Sequence, residues 1–220
     1  MTAQMLGSRT DVSTTPASPL LDGRFRLRQQ VSMTREASAW KATDELLRRT
    51  VTVHVLVPGP VPADLADAVR ATARVIDHRL ARIFDVNYDA ELPYIVSEWA
   101  PGRSLEQLAA GGFGNVVLAA AIIAEAAEAL AIAHEAGLRH LCLNPRSVRW
   151  GESGVKITGL GLEAALRRAP VGDPATADTR VLARMLYALL TGYWPGTEPT
   201  MLPTAPWQRG GWCSPRQVTA

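Results

Sequence analysis

The apolar positions change period along the chain, and the change divides it into two parts. In the first part, residues 25–27, 39–42 and 51–56 read as three short strands, and the last alternates through Val51, Val53 and Val55. Pro58, Pro60 and Pro62 close that region, with Pro62 well placed beside a helix start. Residues 63–76 predict a helix with Leu65, Ala68, Val69, Thr72 and Ile76 on its apolar face. Residues 82–88 and 93–98 predict two more strands. Three strands, one helix and two strands make a compact α+β unit.

After Pro101-Gly102 the spacing becomes helical. Ser104 and Gln107 stand in capping-box register. Residues 115–136 predict a long Ala-rich helix that Gly137 stops. A loop and a small hairpin fit residues 140–158, and residues 178–190 predict a second apolar helix, ended by Thr191-Gly192. The ends are different. Residues 1–20 are Ser-, Thr-, Pro- and Ala-rich and predict a disordered tail, with Thr14-Thr15-Pro16 a candidate phosphorylation site. Residues 21–100 form one expected lobe, residues 101–196 a mainly helical partial lobe, and residues 197–220 an irregular tail. Ser214-Pro215 reads as a helix start with five residues left, which predicts a fragment or a truncated chain.

Composition narrows the function classes. A hydrophobic share of 47% and a charged share of 20% are ordinary for a soluble globular protein. A net charge of +2 argues for neither a nucleic-acid partner nor a membrane surface. Cys142 and Cys213 have no CxxC spacing, so they predict neither a disulfide framework nor a zinc site, and they fit a reducing cytoplasm. The most apolar stretch, residues 116–133, is interrupted by Glu125 and Glu128 and predicts a buried helix, not a membrane segment. The expected location is the cytoplasm.

Three stretches share the frame of a known family. Residues 93–99 with residues 101–105 look like a fifth strand, a hinge and the next helix start. Residues 129–148, reading ALAIAHEAGLRHLCLNPRSV, have the frame of a catalytic loop and its preceding helix. Residues 182–195, reading LARMLYALLTGYWP, look like a central C-lobe helix. Together they resemble the bacterial, actinobacterial-type Ser/Thr protein kinases, which implies the bilobal kinase fold: an antiparallel N-lobe sheet with one helix, then a partial helical C-lobe.

The resemblance also implies where chemistry should stand, and several positions depart from it. Val31, Ser32, Met33, Thr34 and Arg35 occupy the glycine-rich turn. His54 stands for the phosphate-binding lysine, Val69 for its helix glutamate, and neither Lys41 nor Lys156 replaces that lysine. Leu141 and Cys142 replace the loop arginine and the catalytic aspartate, Asn144 the loop lysine, and Ser147 the metal-binding asparagine. Gly159-Leu160-Gly161 stands for Asp-Phe-Gly, so the turn is kept and the magnesium ligand is not. Ser32, Ser97, Glu98 and Trp99 outline a vestigial nucleotide cleft, while His140, Asp178 and Gly161 keep structural roles. Residues 162–177 carry no recognisable activation loop or Ala-Pro-Glu motif.

Each singled-out residue also has a plainer reading. His54 is a phosphate contact or a packed strand residue, and Cys142 a reactive thiol or a small buried hydrophobe. His134 with His140 is a metal pair or two scaffold residues, and scaffold is the expectation. Arg167-Arg168 is a contact patch or a solvated loop. Trp194, Trp207 and Trp212 cover the lobe or mark a partner surface.

The expected function is therefore a pseudokinase, not an enzyme: a regulatory or scaffold module in bacterial Ser/Thr kinase signalling. It would have no cofactor and no metal, and its partner would be a kinase or a phosphopeptide-binding domain. A resemblance of the tail (Trp-Pro-Gly, then Cys-Ser-Pro-Arg-Gln-Val) to kinase-like domains of the cell-wall lipid-precursor flippase implies a cell-wall setting. The alternative is a degenerate kinase with weak ATP binding. A third reading has another small molecule in the cleft, where Ser97 leaves room.

Overall fold

The computed structural model describes residues 19–61, 63–110, 113–167 and 174–195. Thr14-Thr15-Pro16, Pro62, Arg168, Trp207, Trp212 and Ser214-Pro215 lie outside the described residues. The elements run β1 (Leu20–Leu21), β2 (Phe25–Met33), β3 (Ala37–Asp44), β4 (Arg49–Leu56), α1 (Ala63–Arg74), β5 (Ile83–Asn87) and β6 (Tyr94–Glu98). There follow β7 (Arg103–Ser104), α2 (Leu105–Ala110), α3 (Val116–Glu135), β8 (Val148–Gly151), β9 (Gly154–Ile157), α4 (Leu162–Arg167) and α5 (Pro174–Thr191). The α+β class and the kinase-like arrangement expected from the sequence are what the chain adopts.

The first lobe is an antiparallel sheet ordered β1-β2-β3-β4-β6-β5. Period-two alternation sends Val51, Val53, Tyr94 and Val96 to one face, where they pack with Phe25 and Leu27. Phe25 meets Tyr94 edge-on, with ring centroids 5.5 Å apart. Ile95 faces the other way, toward Leu65 and Val69 of α1. β2 is longer than the sequence suggested. Its second half is mostly polar and exposed, so hydrophobic spacing could not reveal it, and the pairing with β3 carries it through two register shifts. α1 stops at Arg74, and Ile76 is exposed beyond the helix instead of on its packed face.

The second lobe is built on α3. Asn115 Oδ1 accepts from the Leu118 N–H at 3.0 Å to cap its start, and Gly137 follows its end at φ 78°. α3 is long and apolar enough to cross a membrane by composition alone. Ile122, Ala126, Ala129, Leu130 and Ala133 instead face the core, which α5 completes through Leu182, Met185 and Leu189. α2 begins with the reciprocal box: the Gln107 N–H donates to Ser104 Oγ at 3.2 Å and the Ser104 N–H to Gln107 Oε1 at 2.9 Å. α5 begins at Pro174, four residues before Asp178, and a first turn of Pro-Ala-Thr-Ala has no large apolar side chain to reveal its start by apolar spacing. β7, β8 and β9 form a small antiparallel sheet.

Two seams join the lobes. The Ile157 N–H donates to the Arg79 carbonyl at 2.7 Å, and the Ala81 N–H donates to the Ile157 carbonyl at 2.8 Å. The second seam is α4, which forms in the interval that showed no motif. Leu162 is buried with Leu65, Val69 and Ile95, and Ala165 and Leu166 pack beside them. Thr72 Oγ1 donates to the Leu160 carbonyl at 3.1 Å and fixes the entry to that helix. Val69 thus supplies packing where the resemblance places a glutamate. Val69→Glu should therefore bury an uncompensated carboxylate and destabilise the fold by roughly 3 kcal/mol. Urea unfolding of both forms at neutral pH measures the loss, and an unchanged midpoint would mean the seam opens freely.

Candidate functional site

A cleft of about 440 Å³ lies where the β2–β3 turn and β4 face α2, the loop before β8 and the start of α4. Ser32, His54, Ser97 and Trp99 line it from the sheet side. Asn144, Ser147 and Gly159 line it from the other. Glu98 is not among the lining residues: its carboxylate accepts from Lys156 Nζ at 2.6 Å, and that Nζ also donates to the His78 carbonyl at 2.6 Å. Val69 and Cys142 do not line the cleft either. The structure therefore brings together most of the positions singled out from the sequence, but not all of them.

Local turns dictate the chemistry of the loop before β8. The Asn144 N–H donates to Ser147 Oγ at 3.0 Å, and that hydroxyl donates back to the Asn144 carbonyl at 2.8 Å. Asn144 Nδ2 donates to the Cys142 carbonyl at 2.9 Å, while its Oδ1 accepts from the Arg146 N–H at 2.9 Å. The polar atoms of both side chains close an Asx-type turn on themselves. Cys142 is buried and disulfide-bonded. That corrects the expectation of an unpaired, thiol-bearing cysteine, and the cysteines no longer argue for a reducing compartment.

Asp178 holds the same loop from below. It is buried, and its Oδ2 accepts from the His140 N–H at 2.8 Å while Oδ1 accepts from the Leu141 N–H at 2.9 Å. His134 Nε2 lies 2.9 Å from Oδ2, and His140 Nε2 lies 2.8 Å from the Thr158 carbonyl. The two histidines serve different partners and do not converge on one point. Leu141 sits at φ 59°, a left-handed conformation that costs a branched residue about 1 kcal/mol and that Asp178 holds in place.

His54 shares a hydrogen bond with Ser97 Oγ at 3.3 Å. Burial pulls its pKa down to about 4, so the ring is neutral at pH 7. Gly159 and Gly161 both take positive φ, 81° and 67°. A Cβ on Gly161 would come 2.8 Å from Thr72 Oγ1, and one on Gly159 would come 2.9 Å from Glu163 Oε1. Glu163 therefore places a carboxylate beside the position where the resemblance puts the magnesium-binding aspartate. Spacing alone concealed it, since its approach to Gly159 needs the helical turn of α4. Arg146 and Arg149 also line the cleft, and sequence reasoning missed both.

The fit of a magnesium–triphosphate can be judged from these groups. The cleft offers one carboxylate beside Gly159, a neutral imidazole, and an amide and hydroxyl engaged in their own turn. Glu106 and Arg146 neutralise each other, and Arg149 stands on the Trp99 side. This set does not match an ion and its phosphates. No step is derived through that group.

No protein-family model matches the chain. It is 27% identical over 164 residues to a probable serine/threonine-protein kinase, pknA2 of Bifidobacterium longum, covering 70% of this chain and 22% of that protein. It is 31% identical over 164 residues to the serine/threonine-protein kinase PknA of Mycobacterium tuberculosis, covering 69% and 38%. With the serine/threonine-protein kinase PknL of the same organism it shares 25% identity over 217 residues, covering 86% and 54%. The chain thus spans between about a fifth and about half of these relatives' lengths. Their names correct one expectation from the sequence: the homologues are named protein kinases and point to an enzyme family, against the reading of the chain as a non-enzyme. The substitutions are departures at individual positions from the frame of those homologues.

Two expectations can be checked on the site itself. Asp178→Ala removes the acceptor of the buried His140 N–H and the half-buried Leu141 N–H and the partner of His134, so it should cost about 3 kcal/mol in chemical unfolding. The unfolded chain's histidine, near its ordinary 6.5, takes up a proton more readily than folded His54 at about 4. Stability due to the neutral ring is complete above pH 6.5 and is lost as pH falls through about 4. The slope is at most about 1.4 kcal/mol per pH unit. His54→Gln should flatten that slope in melting curves taken across the window, and an identical slope would remove His54 as its source.

Proposed function

We propose, for a chain whose homologues are bacterial serine/threonine protein kinases, that it serves as a regulatory or scaffold module of Ser/Thr phosphorylation by binding a protein partner. The observation that carries this reading is that positions of the kinase frame are given over to internal packing and local turns. Val69 lies under α4, Asn144 and Ser147 close their own turn, and His54 is neutral against Ser97. The frame is kept, through Asp178, while these groups bond and pack with one another. A kinase or a phosphopeptide-binding domain is the partner this setting suggests.

Exposed apolar side chains on and just after α5 supply a surface of the right kind. Tyr187, Leu190 and Tyr193 recur every three residues and are 49%, 45% and 38% exposed. Repeated apolar side chains on one side of a helix are what a docked protein covers.

The relatives' names, together with the Glu163 carboxylate beside Gly159, favour a second reading in which the chain binds nucleotide weakly and transfers phosphate. The two readings separate in one set of measurements on the purified chain. Binding to a purified kinase domain and to a phosphopeptide-binding domain from the same organism should give a complex of micromolar or tighter Kd. Tyr187→Ser with Leu190→Ser should weaken it about tenfold or more. Nucleotide that binds the native state raises the unfolding temperature in proportion to affinity. Transfer of labelled phosphate to a protein substrate, lost in Glu163→Gln, with no complex formed, would replace the binding reading by the enzymatic one.

A further inference from the structure

Arg149 is a cation inside the cleft without an anionic partner among the described residues. It stands on β8, half-buried, and lines the cavity. Its Nη2 donates to the Gly102 carbonyl, and its Nε is buried with no partner among the described residues. No carboxylate pairs with it there. Glu106 lines the same cavity but is taken up by Arg146, which donates to it from Nε at 2.8 Å and Nη2 at 3.0 Å. Glu98 is engaged by Lys156, and Glu163 stands beside Gly159.

What does face Arg149 is the Trp99 ring, whose centroid lies 5.7 Å from its guanidinium carbon. Lys41 Nζ lies 4.9 Å from the same ring. A ring quadrupole attracts a cation but does not neutralise it, so the two positive groups concentrate potential at this side of the cavity. Burial pulls the Arg149 pKa down from the ordinary arginine value, the mark of a charge held out of water. A partly dry guanidinium that lines the cavity offers planar donors that match a carboxylate or a phosphate.

We propose that this side of the cleft binds a small organic oxyanion, with its carboxylate or phosphate on Arg149 and its apolar body against Trp99, Ala39 and Ala100. The three apolar residues line the same cavity as Arg149, and apolar contacts beside a charged group that fixes orientation are what a small-ligand site combines. The occupant differs from a magnesium-bound nucleotide, since the charge it answers stands beside Trp99 and not beside Gly159. The inference does not depend on the partner-binding reading.

Calorimetric titration and thermal shift of the full chain test it, using benzoate, phenyl phosphate and inorganic phosphate, with benzyl alcohol as the neutral control. At least one aromatic anion should bind and raise the unfolding temperature, and the affinity should fall as salt rises. Benzyl alcohol should do neither, and the stronger of benzoate and phenyl phosphate identifies the headgroup. Arg149→Met should weaken binding about tenfold or more, with Arg149→Lys between it and the parent. Should Arg149→Met not fold, the unaltered chain still decides. The bound anion should protect Arg149 from phenylglyoxal, read by peptide mass mapping. Absence of binding by every anion, equal affinity in a folded Arg149→Met, or modification of Arg149 undiminished by the anion would overturn the assignment.

Discussion

One buried carboxylate holds the lower half of the site together. Asp178 reaches from α5 to two backbone N–H groups of the loop after α3 and to His134 on α3 itself. Those contacts keep Leu141 in a left-handed conformation and set His140, whose Nε2 meets the Thr158 carbonyl. From Thr158 the chain enters the Gly159-Leu160-Gly161 turn, and that turn launches α4. A buried anion with several charge-assisted partners is a strong, short-range constraint, and each later step inherits its position from it.

The turn and the helix after it then decide what the cleft can be. Positive φ at Gly159 and Gly161 aims α4 under α1, where Leu162 meets Leu65 and Val69. Apolar burial of Val69 takes the place of the glutamate that the family frame pairs with the β4 lysine, at whose position His54 stands. The same helix brings Glu163 back beside Gly159, so one carboxylate returns by a route the frame does not use. The chain's homologues are protein kinases, and its cleft is also a product of local packing. The two statements concern different levels: ancestry fixes the frame, and individual side chains fix the chemistry inside it.

The distribution of charge follows from the same arrangement. Lysine is confined to two positions, and each is occupied outside the centre of the cleft: Lys156 with Glu98, and Lys41 over Trp99. Arg146 is neutralised by Glu106 at an exposed edge. Arg149 is left with a carbonyl and a ring. Electrostatic asymmetry therefore sits on the Trp99 side of the cavity, while His54 and Ser97 leave its back wall neutral.

By itself the sequence determined the two-part architecture, the capping box at Ser104, the Asn115 and Gly137 limits of the long helix and the frame around His140 and Asp178. All but the last rest on periodicity and on local side chain-to-backbone bonds, which a few neighbouring residues specify; the last rests on the family resemblance, since Asp178 bonds residues 38 and 37 positions away. The tertiary structure alone decided the second half of β2, whose mostly polar run is held by pairing with β3. It also decided α4, whose apolar residues gain order only against α1, and the disulfide-bonded state of Cys142. The meeting of Glu163 with Gly159 and the isolation of Arg149 belong to the same class. A side chain's charge is written in the sequence, but whether a partner answers it depends on contacts between residues far apart in the chain. Nonlocal packing sets those contacts.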